Sequence, residues 1–164
     1  MAWVGSTVTA QVLSLLSAPQ GVSGCLATLA TAENLTLGPV AQSQIQAQNV
    51  SAELAERSEN VVYPALYVYC DKVFNQLIEK FRMFSGKAMM VIEVRVSQDR
   101  LDGLEDQTQS YVDAVTQVLD QNRGDWGEGM FYAGGYEAVF AQVKHGGRNF
   151  LQSAKVTFDV GVSN

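Results

Sequence analysis

Hydrophobic and polar positions alternate most cleanly in the last third of the chain. From Asn149 onward, Phe150, Ala154, Val156, Phe158, Val160 and Val162 share one parity, while Leu151, Ser153, Lys155, Thr157, Asp159 and Ser163 share the other. A period of two marks a strand with one buried face. Residues 130–144 run out, His145-Gly146-Gly147 turn, and residues 149–163 return, which predicts one long hairpin over 129–163. At about 3.3 Å per residue the return strand spans roughly 45 Å, against about 17–20 Å for an ordinary strand. A small domain is not expected to cover such a hairpin alone, so a neighbouring subunit is expected to help.

The same pattern predicts the remaining elements. Val8, Val12, Leu15 and Leu16 recur at helical spacing after Ser6 and Thr7, and Pro19-Gln20-Gly21 stops that helix near Ser17. A second short helix is predicted over 23–32, with Leu26, Leu29 and Ala30 inward, followed by a linker over 35–40. Residues 42–49 place Gln42, Gln44, Gln46 and Gln48 on one parity and Ile45 and Ala47 between them. They read as an edge strand or extended arm, or equally as a low-complexity polar tract. Residues 61–70 (VVYPALYVYC) are the most apolar run, a strand buried on both faces with Pro64 near its start or on an edge. Tyr63, Tyr67 and Tyr69 share a face there, a stripe that favours core or subunit contact over a ligand platform.

Residues 71–84 fit two readings. Val73, Phe74, Leu77, Ile78 and Phe81 have helical spacing, and the segment reads equally as an irregular excursion. Residues 87–98 form a strand with Ala88, Met90, Ile92, Val94 and Val96 inward and Lys87, Glu93, Arg95 and Ser97 outward. Glu93 and Arg95 then make an exposed ion pair, which contributes little. The main helix runs over 102–122 on the stripe Leu104, Thr108, Tyr111, Val112, Val115, Val118 and Leu119. Asp102 and Glu105 have the spacing of a capping box, and Gly124 suits the left-handed position beyond the helix end. Asp106, Gln109, Asp113, Gln117 and Asp120 make its outer face, and 125–129 a loop.

This order gives an α+β fold: an antiparallel or mixed sheet with a long C-terminal hairpin, one main amphipathic helix on the sheet, and short N-terminal helices. Residues 1–164 are expected to form a single domain, with 1–60 helical or extended and 61–164 holding the sheet, main helix and hairpin.

Charge sharpens the picture. The net charge of −6 falls wholly within residues 99–128, where eight acids face Arg100 and Arg123. Such a balance disfavours nonspecific binding to nucleic acid. A solvated acidic face is the simplest reading, and a face turned to a negatively charged lumen is the sharper one. Before Glu33 no charged residue occurs, yet Gln11, Pro19, Gln20 and many small polar residues interrupt any run of about 20 apolar residues that a membrane span needs. No basic segment precedes Arg57, so neither a membrane nor a secretory signal is expected, and the chain is expected in the cytosol.

No catalytic constellation emerges. Cys25 and Cys70 sit in no metal-binding or redox spacing and read as buried free thiols. His145, the only histidine, lies in the hairpin turn without a nearby nucleophile or orienting group. Gly127, Gly129, Gly134 and Gly135 match neither phosphate-loop pattern, and the Gly134-Gly135 pair marks a bulge or bend. The carboxylates of 99–106 lack the order of a calcium loop. Hence no catalytic residue, metal or cofactor is expected.

From Tyr63 onward the sequence resembles the tail-terminator (tail-completion, or tail-to-head joining) proteins of tailed bacteriophages. The likeness rests on Tyr63-Pro64-Ala65-Leu66-Tyr67-Val68-Tyr69, on Phe84-Ser85-Gly86 leading into Ile92-Glu93-Val94-Arg95-Val96-Ser97, on the helix through Tyr111-Val112-Asp113, and on Gly146-Gly147 with Asn149-Phe150-Leu151-Gln152-Ser153-Ala154. It implies a structural virion protein and not an enzyme: a ring, usually hexameric, at the tail–neck junction after assembly in the host cytoplasm. Such a ring caps the tail tube protein, stops polymerisation, meets the head-completion or neck proteins, and lets DNA through without specific binding. Rival readings are another neck component (a head-completion stopper or adaptor) and a small cytosolic enzyme or ligand-binding domain. On the terminator reading, Tyr63, Tyr67, Tyr69, Phe150, Gln152, Val156 and Phe158 are candidates for the subunit interface. Asp106, Asp113 and Asp120 are candidates for a lumen-facing acidic surface.

Overall fold

The computed structural model describes residues 3–58, 60–146 and 148–164. The chain opens with α1 (Val4–Ser17) and α2 (Val22–Glu33). Val4, Val8, Val12 and Leu16 form the buried stripe of α1, because residues three to four apart share one helix face. The turn that follows depends on Gly21: an added Cβ would lie 2.3 Å from the Leu16 carbonyl oxygen. Taken as one stretch, Val4–Glu33 is long and apolar enough to cross a membrane. The turn divides it into helices of 14 and 12 residues, each short of the about 20 a span needs. In α2 the buried residues are Val22, Cys25 and Leu26. Leu29 and Ala30 are only half-buried, so the inward face lies nearer the helix start than the periodicity predicted.

A mixed sheet of eight strands carries the rest. It comprises β1 (Ile45–Gln46), β2 (Ala65–Asn75), β3 (Ser85–Gln98), β4 (Gly124–Gly127), β5 (Met130–Tyr132), β6 (Glu137–Phe140), β7 (Lys144–Gly146) and β8 (Asn149–Ser163). The order is β1-β2-β3-β8-β5-β4, with β6 and β7 also paired to β8. β1 is parallel to β2 and supplies the expected edge strand in two residues. β8 returns with the predicted bounds and pairs with β3 throughout, from Ser85↔Ser163 to Gln98↔Phe150. Its inward parity meets that of β3, with Met90 opposite Phe158 and Ile92 opposite Val156. These side chains join α1, α2 and α4 (Leu104–Gln121) in one hydrophobic cluster.

The outgoing arm of the hairpin differs from the prediction. Residues 130–144 form no single strand; β5, β6 and β7 share the second edge of β8 in turn. Gly134 and Gly135, at φ +94° and +88°, bend the chain between β5 and β6, as the glycine pair suggested. The predicted loop over 125–129 is instead a tight hairpin between β4 and β5. Glu128 and Gly129 both take positive φ, 51° and 77°, as a two-residue turn matched to sheet twist requires. His145 belongs to β7, and Gly147 lies outside the described residues.

The capping box at Asp102 does not form. Gly103, at φ +79°, occupies the N-cap of α4 without a side-chain cap. The preceding turn is held by Gln98, whose Nε2 donates to the carbonyls of Arg100 and Asp102, each at 2.8 Å. At the other end Asn122 is the C-cap and donates from Nδ2 to the Val118 carbonyl at 2.7 Å. Gly124 therefore opens β4 and does not close the helix.

The face of the sheet turned away from α1, α2 and α4 is also covered. Residues 49–53 and the start of α3 (Ala52–Ser58), a helix without a sequence signal in our reading, lie beside it. Glu93 and Arg95, expected in solvent, sit beneath this cover at 8 % and 2 % exposure. Their 3.1 Å ion pair is buried.

Candidate assembly surface

Beyond the core, β2 and β3 continue together as a projecting hairpin. The ladder shifts between Cys70 and Lys72, then resumes from Lys72↔Met89 to Asn75↔Gly86. Residues 76–84 close it as an irregular loop. The helical reading of residues 71–84 is thus wrong, and the irregular excursion begins only after Asn75.

Polar anchors at the loop's base organise it. Asn75 Oδ1 accepts from the Leu77 and Ser85 amides at 3.2 and 3.1 Å, and Nδ2 donates to the Met83 carbonyl at 3.2 Å. Ser85 Oγ accepts from the Glu79 amide at 3.1 Å. Leu77 and Phe81 take left-handed backbone angles, φ 47° and 70°, a conformation bulky side chains rarely adopt and one that clusters at functional sites. Four large apolar side chains are held in water as a result: Leu77, Ile78, Phe81 and Met83 are 61–104 % exposed. Trp3, Val73 and Met83 border an adjoining depression of about 510 Å³. Grouped exposure of this kind makes the tip a candidate interaction surface, whereas single exposed apolar residues carry no such meaning.

An open strand edge runs into this tip. β1 pairs only with Leu66 and Tyr67, so among the described residues no strand covers β2 from Val68 to Asn75. On the opposite side of the path β2-β3-β8, among the described residues β6 pairs only with β8 and its outer edge is open. Unpaired N–H and C=O groups on an edge are a template for another strand.

The residues named from sequence as interface candidates fall in other places. Tyr67 and Tyr69 are buried under the second face, where the Arg95 guanidinium stacks 4.3 Å from the Tyr67 ring. Val156 and Phe158 lie in the core, and Phe158 meets Tyr132 edge-on at 5.6 Å. Gln152 is buried and donates from Nε2 to the Ala141 carbonyl at 3.1 Å. Only Tyr63 and Phe150 are half-exposed. The Tyr63 hydroxyl donates to Glu56 Oε1 at 2.8 Å, and burial with that bond raises its pKa. β8 is paired with β3 along one edge and with β5, β6 and β7 over most of the other, so little of its backbone is left for a neighbour.

The acidic candidates do share a surface. Asp106, Asp113 and Asp120 are exposed on α4, on the side away from the sheet. Gln109 Nε2 donates to Asp113 at 3.2 Å, and Arg123 donates to Asp120 at 2.8 Å. Cys25 and Cys70 are free thiols, one buried and one half-buried, both with pKa raised by burial. His145 is exposed and packs its ring edge-on against Phe150 at 5.6 Å. Among the described residues no group of three His, Cys, Asp or Glu is placed to hold a metal ion.

The tip was missed because its apolar residues fit helical spacing. The usable signal was Asn75 and Ser85, short polar side chains that bond to nearby backbone and favour turns. No protein-family model matches the chain, and no curated protein matches it in sequence.

Proposed function

We propose that the chain is a ring-forming joining protein of the tail-terminator kind, without a catalytic site. In this reading copies close into a ring, six in number as the resemblance implies. The ring seats on the end of a phage tail tube, stops its growth, and presents its other side to neck proteins. One observation carries the reading: an ordered loop holds four large apolar side chains in water beside a strand edge that is unpaired among the described residues. A single chain with such a surface is incomplete on its own. The open edges of β2 and β6 lie on opposite sides of the sheet, which supports a head-to-tail contact, and contacts of that kind close into rings when the rotation permits. The exposed acids of α4 suit a channel wall to which passing DNA does not adhere.

Light scattering on the purified protein, followed by negative-stain imaging with and without tail tubes, tests the proposal. Rings at one end of the tubes are expected. Ile78→Asp and Phe81→Asp, at exposed positions that leave the fold intact to within about 0.5 kcal/mol, should abolish those rings. Rings that ignore tubes and bind portal-bearing heads would assign the protein to the other side of the neck. A monomer or dimer indifferent to both would refute ring function altogether.

A further inference from the structure

The second face of the sheet holds a cleft of about 440 Å³ between its strands and residues 49–53, within the roughly 300–1,000 Å³ of small-ligand sites. Arg95 lines it, 2 % exposed. Its Nε donates to Glu93 Oε1 at 3.1 Å and its Nη2 to the Val50 carbonyl, while Nη1 has no hydrogen-bond partner. A buried guanidinium N–H without an acceptor is costly, and the group that relieves it must bring an oxygen. Lys144 and Lys155 line the same cleft, both exposed and in no ion pair among the described residues. Against these three cations stand Glu93, already held by Arg95, and Glu53. In a chain of net charge −6 the cleft thus sets three cations against two acids beside a buried planar donor, whose geometry suits a carboxylate.

We propose that this cleft is a carboxylate-binding site. Lys144 and Lys155 attract the anion from the rim, and Arg95 Nη1, closed to water in the chain alone, donates to one carboxylate oxygen once residues 49–53 give way. The carboxylate belongs either to a small dicarboxylate or to an acidic side chain of a docked peptide, and the chemistry at Arg95 is the same for both. The site lies on the face opposite α4 and stands whether or not the chain forms a ring.

Calorimetric titration of the full chain with succinate, and separately with a blocked tetra-aspartate peptide, tests the assignment. Saturable binding of at least one probe is expected, weakened by added salt. The double variant Lys144→Ala/Lys155→Ala, at exposed positions that do not threaten folding, should weaken it about tenfold. Arg95→Lys, checked for folding by circular dichroism, should lose it. Succinate binding as tightly as the peptide assigns a small dicarboxylate, whereas a peptide at least tenfold tighter assigns a polypeptide partner. Absence of binding by both probes at millimolar concentration overturns the proposal. So does binding that the lysine variants leave unchanged.

Discussion

Glu93→Gln keeps the shape of a side chain that bonds Arg95 and removes only its charge. At 3.1 Å the attraction is about 5 kcal/mol for an effective dielectric of about 20, and about 1.3 kcal/mol in bulk water. With side chains only 3 % and 11 % exposed, the higher regime applies, and desolvation offsets part of it. Removing one partner of a buried pair strands the other charge, which costs about 3–5 kcal/mol. The neutral amide still accepts one bond, so we expect about 3 kcal/mol. For a chain of this length that lowers Tm by roughly 6–12 °C, at about 2–4 °C per kcal/mol. Reversible urea unfolding at low and high salt provides the assay, because a buried pair is screened far less than an exposed one. Adding Arg95→Met to Glu93→Gln should recover part of the loss, since the stranded charge is then gone. A cost below about 1 kcal/mol, or one that vanishes in high salt, would show that the pair behaves as a surface pair and that the cover over it opens in solution.

Gly86→Ala should cost about 2–3 kcal/mol, because its Cβ would meet the Phe74 carbonyl oxygen at 1.9 Å; chemical-shift changes should centre on the base of the tip, and unchanged stability would disprove the close approach. The Tyr132 phenol is pushed up to about 12, first by burial and then by Asp120, against about 10 in an unfolded chain. The unfolded chain therefore releases this proton first, so the stabilisation is intact below about pH 10 and is lost as pH rises toward 12. Phenolate absorbance should show a late step that Tyr132→Phe removes, and identical titrations would contradict the assignment. Reversing Asp106, Asp113 and Asp120 to Lys should leave stability within about 1 kcal/mol, since all three are exposed. On the proposed function it should also slow DNA ejection without preventing ring assembly, and unchanged ejection would count against a lumenal α4.

The α+β architecture was legible because its main elements follow simple periods. The two-residue alternation of β8 and the helical stripe of α4 each state which face is buried. Faces fail as a guide where a second layer arrives from elsewhere in the chain. Glu93 and Arg95 alternate outward correctly, but residues 49–53 fold over them, and no local pattern announces that cover. Most of the interface candidates are buried within the chain itself for a related reason. Alternation identifies Val156 and Phe158 as buried without saying by what, and the chain's own helices answer. At the tip, Leu77, Ile78 and Phe81 satisfy a helical period that the bonds of Asn75 and Ser85 override. The Asp102 cap failed more locally, displaced by Gly103 and the side chain of Gln98.

β8 is bonded to β3 along its whole length, so the β8 amides that face β3 meet solvent only when the two longest strands of the sheet separate. Their hydrogen exchange should therefore proceed through global unfolding, at the slow limit for the molecule. Residues 76–84 sit at the other extreme, tied down by a few bonds at their base, and should exchange by local opening. The protein thus separates a part that resists opening from an anchored tip that opens locally. Protection of β8 should stay unchanged on assembly while that of the tip rises.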